Sequence, residues 1–212
     1  IAGLPGNGLD ELGECLIGLR EIKSGGIFFY GEDVTKLPTS ERKKLGMRYI
    51  PEELETGICF QLPLEENSIL ESYCKFSKSG FLQRGEIREY AKMMIERYKI
   101  DPPNPTKPMG EFSGGTIRKV LVGRVIEENP KVLIAHNPTL GLDYRTQRFL
   151  RNKLLELSRN SGIILFSDDL DEIFEICDRV GVIYEGKLYG PYRVGKDIRK
   201  VVEKQMLGLE LS

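Results

Sequence analysis

The 212 residues are 40% hydrophobic and 30% charged, enough apolar material for one ordinary folded domain with its own core. Lys and Arg number 31 against 32 Asp and Glu, and the formal charge of −1 leaves no electrostatic footprint for nucleic acid or an anionic membrane surface. No apolar run approaches the ~18 residues of a membrane span and no signal peptide precedes the first motif, so any membrane link is expected to come through a partner.

The chain begins with Ile1 almost directly on a glycine-rich loop, and an upstream segment carrying most of a first strand is expected. Leu9, Leu12, Leu16 and Leu19 then recur at helical spacing and predict a helix over 9–19. IFFY (27–30) before a turn at Gly31-Glu32, and MRYI (47–50) before Pro51, read as strands, which makes 27–50 a sheet-rich stretch. From Glu65 to Lys99 the pattern becomes helical and charged, and the proline-rich DPPNPTKP (101–108) stops it. Beyond Ser113 strands and helices alternate: a helix to about Glu128, the strand VLIA (132–135), a helix over 145–159, IILF (163–166), a helix over 170–177 and GVIY. Such alternation implies a parallel sheet. Glu185-Gly186 reads as a two-residue hairpin turn, and 195–207 as a terminal amphipathic helix. The cysteines Cys15, Cys59, Cys74 and Cys177 form no CxxC pair, which suggests free thiols in a reducing compartment rather than zinc ligands or disulfides.

The first chemical motif is GLPGNGLD, 3–10, between a strand end and a helix start. Gly3, Gly6 and Gly8 let backbone N–H groups converge with a helix N-terminus, a cradle suited to an anion, although glycines serve a plain strand-to-helix turn equally well. A full phosphate loop follows its last glycine with Lys, for β/γ-phosphate charge, and Ser or Thr, for Mg²⁺. Leu9 and Asp10 stand there instead, after Asn7 and Gly8. A carboxylate ~4 Å from a phosphate oxygen costs about 4 kcal/mol at an effective dielectric near 20, and the absent lysine removes a compensating term of similar size.

The second motif is EFSGGTIRKVLVGRVIEENPKVLIAHNPTLGLD, 111–143, and on it the chain resembles the ATPase domains of ABC transporters. FSGGT resembles the signature LSGGQ, and VLIAHN the Walker B strand, with TLGLD as D-loop. The resemblance implies an α/β fold of the P-loop NTPase kind: a mostly parallel sheet flanked by helices, with an antiparallel β part and a helical subdomain. It divides the chain into a P-loop and Q-loop part (1–60), a helical subdomain (61–112), a signature, Walker B and switch core (113–190) and a C-terminal helix (191–212). Where the family has its Mg²⁺-binding Asp and catalytic Glu, this chain has His136 and Asn137. A neutral imidazole is a poor partner for hard Mg²⁺, and an amide cannot take a proton from water. His136, the single histidine, admits either a metal or catalytic role or a structural one. YIPEE (49–53) matches the Q-loop with Glu52 for glutamine, and SDDLDE (167–172) the switch with Asp168 for histidine.

Ser113, Gly114 and Gly115 keep the signature. A serine and two unobstructed N–H groups at a helix start suit a γ-phosphate. In the family two domains dimerise head to tail, each signature capping ATP held by the other, so this chain is expected to complete a partner's site, with ATP and Mg²⁺ held mainly by that partner and Asp143 reaching across. Leu9→Ala is expected to change little and Gly115→Asp to abolish activity of the complex. The motifs are similar to the second, degenerate ATPase half of tandem simple-sugar and nucleoside import proteins. The implied partners are a second ATPase domain, within one chain, and membrane permease subunits, on the cytoplasmic face. Other readings stay open: an ABC protein outside transport, a conventional ATPase in which Asp10 or another carboxylate takes up Mg²⁺, or a purely structural subunit.

Overall fold

Two compact units organise the chain in the computed structural model, which describes residues 1–209: one comprises Ile1–Tyr49, Lys131–Asn137 and the chain from Ser158 onward, the other Ile50–Pro130 and Pro138–Leu157. The elements of the first half are α1 (Leu9–Ile17), β1 (Phe28–Phe29), β2 (Glu32–Asp33), α2 (Thr39–Leu45), β3 (Met47–Ile50), α3 (Leu54–Gly57), α4 (Leu64–Ser68), β4 (Ser77–Lys78), β5 (Phe81–Leu82) and α5 (Arg84–Tyr98). The second half contributes α6 (Gly114–Ile126), β6 (Val132–His136), α7 (Tyr144–Ser158), β7 (Gly162–Phe166), α8 (Leu170–Ile176), β8 (Arg179–Tyr184), β9 (Lys187–Arg193) and α9 (Arg199–Met206).

The first unit is built on a sheet in the order β3-β6-β7. β6 and β7 run parallel, with Val132 opposite Gly162 and His136 opposite Phe166. Their unbroken apolar runs suit strands covered on both faces, and Leu133, Ile134 and Ala135 are fully buried. Ala2 bridges in parallel to Ser167 and to Val182, so the few residues before the glycine loop lie between the end of β7 and β8. α1 lies over β6, and Leu9, Ile17, Met47, Ile134, Phe166 and Ile183 form one apolar cluster. Each such side chain contributes roughly 1.5–3 kcal/mol through burial.

β8 and β9 form an antiparallel hairpin whose turn is Glu185-Gly186, both in the left-handed region at φ 47° and 74°. This is the geometry that matches the right-handed twist of the paired strands. The other hairpin of this unit, β1–β2, pairs Phe29 with Glu32, which puts its turn at Tyr30-Gly31, one residue before the position expected from the sequence. The stretch 27–50 also contains a helix, α2, that the sequence pattern did not announce. Seven residues are too few to display a helical period, and what fixes α2 is distant: the buried Arg42 donates to the carbonyls of Leu37, Cys15, Leu16 and Thr35. The terminal helix begins at Arg199 and buries Val202, Gln205 and Met206; residues 210–212 of the expected C-terminal segment lie outside the described residues.

The second unit gathers α5 and α6 with α3, α4 and α7. Tyr98 at the end of α5 donates its hydroxyl to Glu127 at 2.7 Å, and Asn67 pins a loop by bonding the backbone of Cys59, Leu62 and Pro63. The region 65–99 is not continuously helical. β4 and β5 interrupt it as a hairpin around Ser79-Gly80, with strands of two residues each that are too short to show an alternation.

Candidate functional site

The glycine loop of the first unit is shaped by its own residues. Asn7 donates its side-chain amide to the Leu4 carbonyl at 3.1 Å and accepts from the Glu185 N–H at 2.9 Å, while its carbonyl accepts from Gly186 N–H at 3.0 Å. The loop is thereby fastened to the β8–β9 turn. Gly8 caps α1 at φ 107°, a conformation that excludes side-chain-bearing residues, and a Cβ on Gly3 would come within 2.6 Å of Ile183. The two positions that follow point in different directions. Leu9 is 4% exposed and belongs to the apolar cluster, so the residue at the lysine position is turned into the core. Asp10 sits in the first turn of α1, where a carboxylate is favoured by the helix dipole, and is 62% exposed. The burial of Leu9 gives Leu9→Ala an effect on stability besides the small effect expected on activity: removing a packed leucine should lower the unfolding free energy by about 2–4 kcal/mol, readable as a shift in a urea melt.

Asp10 is paired with His136. Nδ1 of the histidine lies 3.0 Å from Oδ1 of the aspartate, and the imidazole, 2% exposed, stands edge-on against Phe166. The next residue, Asn137, adopts φ 41°; its N–H donates to the Phe166 carbonyl at 2.8 Å and its side-chain oxygen accepts from the N–H of Asp168 at 3.3 Å. Ser167 donates to Glu172 at 2.9 Å, and Asp169 caps α8 through the N–H groups of Asp171 and Glu172. The unit therefore brings Asp10 to His136 and Asn137 to Asp168. At these positions the acid faces an imidazole, an amide follows the histidine, and the residue after the last loop glycine is an aliphatic side chain facing inward, a set that lacks the cation and the free carboxylates expected to hold Mg-ATP.

In the second unit the start of α6 is capped and leaves its first glycines open. Ser113 is the N-cap of α6, extended at φ −67° and ψ 152°, and its Oγ accepts from the Thr116 N–H at 3.3 Å. Ser113 and Gly114 are exposed and Gly115 is half-buried. The first-turn N–H groups of Gly114 and Gly115 have no acceptor within the helix, and a Cβ on Gly114 would meet nothing within 4 Å. Thr116 is buried, and its hydroxyl bonds to Ser113 Oγ at 3.1 Å and to the Asp101 carbonyl at 3.3 Å. Thr116 thus ties the cap to the Asp101 main chain.

Asp143 opens α7. One carboxylate oxygen accepts from the N–H groups of Arg145 and Thr146 at 3.0 and 3.1 Å and the other from the Thr146 hydroxyl at 2.7 Å. The Thr146 hydroxyl, then its N–H, holds this carboxyl below the ordinary range. The cap is accordingly complete above the ordinary carboxylate pKa and is lost as pH falls through the lowered value. Glu52 offers its main-chain carbonyl to Arg118 Nη1 at 2.6 Å.

Sequence reasoning missed three of these relations. The Asp10–His136 pair joins residues 126 positions apart, Asn7 serves a hairpin near the other end of the chain, and Arg118 reaches back 66 residues; the only sequence signal for any of them was the coincidence of unusual residues at Asp10 and His136.

A family model described as ABC transporter matches residues 1–140. The guanosine import ATP-binding protein NupO of Bacillus subtilis (strain 168) is 37% identical over 193 residues, taking in 89% of this chain and 38% of that protein. The ribose import ATP-binding protein RbsA of Oceanobacillus iheyensis is 31% identical over 192 residues, with 90% and 39% covered. The chain therefore spans just under two fifths of the length of these relatives. Among solved structures, the ATP-binding cassette MJ1267 superposes with a TM-score of 0.80 at 20% identity, covering all of this chain and 86% of that one. The dimeric MJ0796 cassette bound to ADP and Pi gives 0.78 at 18% identity, covering 92% and 84%. At these identities the two likenesses show a common fold.

Proposed function

The chain belongs to the ABC transporter family, and on that premise we propose that it is the non-hydrolysing member of an asymmetric pair of ATP-binding domains in an importer of simple sugars or nucleosides. The observation that carries the reading is the contrast between its two anion-facing helix starts. At α1 the cationic position is buried leucine and the next residue is a carboxylate paired with His136; at α6 the cap is built and the glycines stand open. The first arrangement repels a triphosphate and the second suits one.

In this reading the partner domain supplies lysine, magnesium ligand and base. This chain supplies Ser113, Gly114 and Gly115, whose N–H groups and hydroxyl would hold the γ-phosphate oxygens, with Asp143 ordering the loop beside them. Magnesium, when bound by the partner, would supply charge neutralisation for phosphoryl transfer. The partner domain would lie in the same full-length protein, as the coverage of under two fifths of the import relatives suggests. Membrane permease subunits would be contacted by the region from Glu52 to about Lys75, at the cytoplasmic face. Among the described residues no helix is long and apolar enough to cross a membrane.

Titration of the purified chain with Mg-ATP tests the first half of the proposal. No saturable binding below millimolar concentration and no phosphate release are expected; micromolar, Mg-dependent binding with turnover would replace this reading by that of a conventional ATPase.

A further inference from the structure

α6 carries, besides its capped start, two arginines that are 5% and 4% exposed, Arg118 and Arg124. Buried arginines are expensive unless their donors are met; the terminal nitrogens of both reach one stretch of main chain, while Arg124 Nε finds no partner among the described residues. Arg118 Nη1 donates to the carbonyls of Glu52 at 2.6 Å and Pro51 at 3.4 Å. Arg124 Nη1 donates to the Asn67 carbonyl at 3.1 Å and Nη2 to the Gly57 carbonyl, with Glu71 at 3.7 Å from Nη2. Between them on the same helix, Leu121 lies so close to Gly57 that a Cβ there would come within 2.7 Å of its methyl. Residues 118, 121 and 124 are spaced by three and share one helical face.

We infer that Arg118 and Arg124 are positioning residues that bind the segment from Pro51 to Glu71 to the signature helix, so that the two move as one piece. Three contacts along two turns of α6 hold the segment, and each arginine grips carbonyl oxygens, which any side-chain sequence in 51–57 would also present. A guanidinium offers several donors in a fixed fork, so one side chain restrains two peptide groups at once, which an ammonium cannot do to the same degree. Desolvation pulls both guanidinium groups below their ordinary pKa. The role in transport rests on the composite-site reading: a displacement at Ser113 to Gly115 would reach the permease-facing segment through these two side chains.

Hydrogen–deuterium exchange of the whole chain tests the clamp without any partner. The Ile58 N–H bonds Leu54 and the Cys59 N–H bonds Asn67, so both amides report on the clamped segment. Arg118→Met and Arg124→Met should raise exchange at Ile58 and Cys59 about tenfold or more while amides of β6 and β7 keep wild-type protection, with Arg118→Lys in between. Unchanged exchange at Ile58 and Cys59, or an equal rise throughout the chain, would overturn the clamp. Should the methionine variants fail to fold, Arg118→Lys and Arg124→Lys give the same reading at smaller amplitude. In the assembled transporter Arg118→Met should leave the KM for ATP unchanged and lower only the permease-stimulated part of the turnover. A complex with no ATP turnover at all, with Ile58 and Cys59 loosened as expected, would sink the composite-site reading and leave the clamp standing.

Discussion

Gly115→Asp should fold like the wild type and reduce ATP turnover of the assembled transporter by about a thousandfold. A Cβ at this position meets only Leu142, at 3.6 Å, an ordinary contact, and an added carboxylate in the first turn of α6 is favoured by the helix dipole. The fold has no reason to suffer. The same carboxylate would stand ~4 Å from a γ-phosphate oxygen, a repulsion of about 4 kcal/mol at an effective dielectric near 20, which is close to three orders of magnitude in rate. The measurement is phosphate release by the reconstituted complex beside a thermal melt of the variant. Full turnover by the Gly115→Asp complex would show that this signature serves no nucleotide, and a collapsed melt would show that the loss is structural.

His136→Asp carries the second large effect, this time on stability. The wild-type pair sets an imidazole against a carboxylate at 3.0 Å, with the histidine buried and the aspartate largely in water. The substitution places a second carboxylate in the buried position, where desolvation and the facing Asp10 both oppose its charge. The exposed side of the pair contributes little, so the cost arises at the buried position and is about 3 kcal/mol. Two facing carboxylates are also a cation site, and millimolar Mg²⁺ or Mn²⁺ should raise the melting temperature of this variant by several degrees while leaving the wild type unmoved. A wild-type melt that responds to Mg²⁺ equally would mean that the natural site still takes the metal.

How far the sequence speaks depends on the range over which each feature acts. The alternation after Ser113 gave β6, α7, β7, α8 and β8 nearly to the residue, because each is long enough to display its period and the strands are covered on both faces. The turn at Glu185-Gly186 was readable because two left-handed residues select a narrow set of amino acids. Helix α2 was not readable because it is a few residues held by contacts from elsewhere through Arg42, and the hairpin at Ser79-Gly80 was not because its strands of two residues each are too short to display an alternation. At the site, the substituted positions were all visible as substitutions. What they do was not: Leu9 appeared as a missing lysine and is a core residue, while Asp10 and His136 appeared as two separate losses and are one contact.

Asn7 adds a point about time rather than structure. A loop organised by its ligand loosens whenever the ligand departs, but here a single asparagine ties the loop to the turn at Glu185-Gly186 by two bonds and to its own Leu4 by two more. All of these bonds are made within the chain, so the form of the loop is set by its own residues. Under the composite-site proposal this loop would be the still part of its unit, an anvil, while displacement at the signature is carried by the other unit through Arg118 and Arg124.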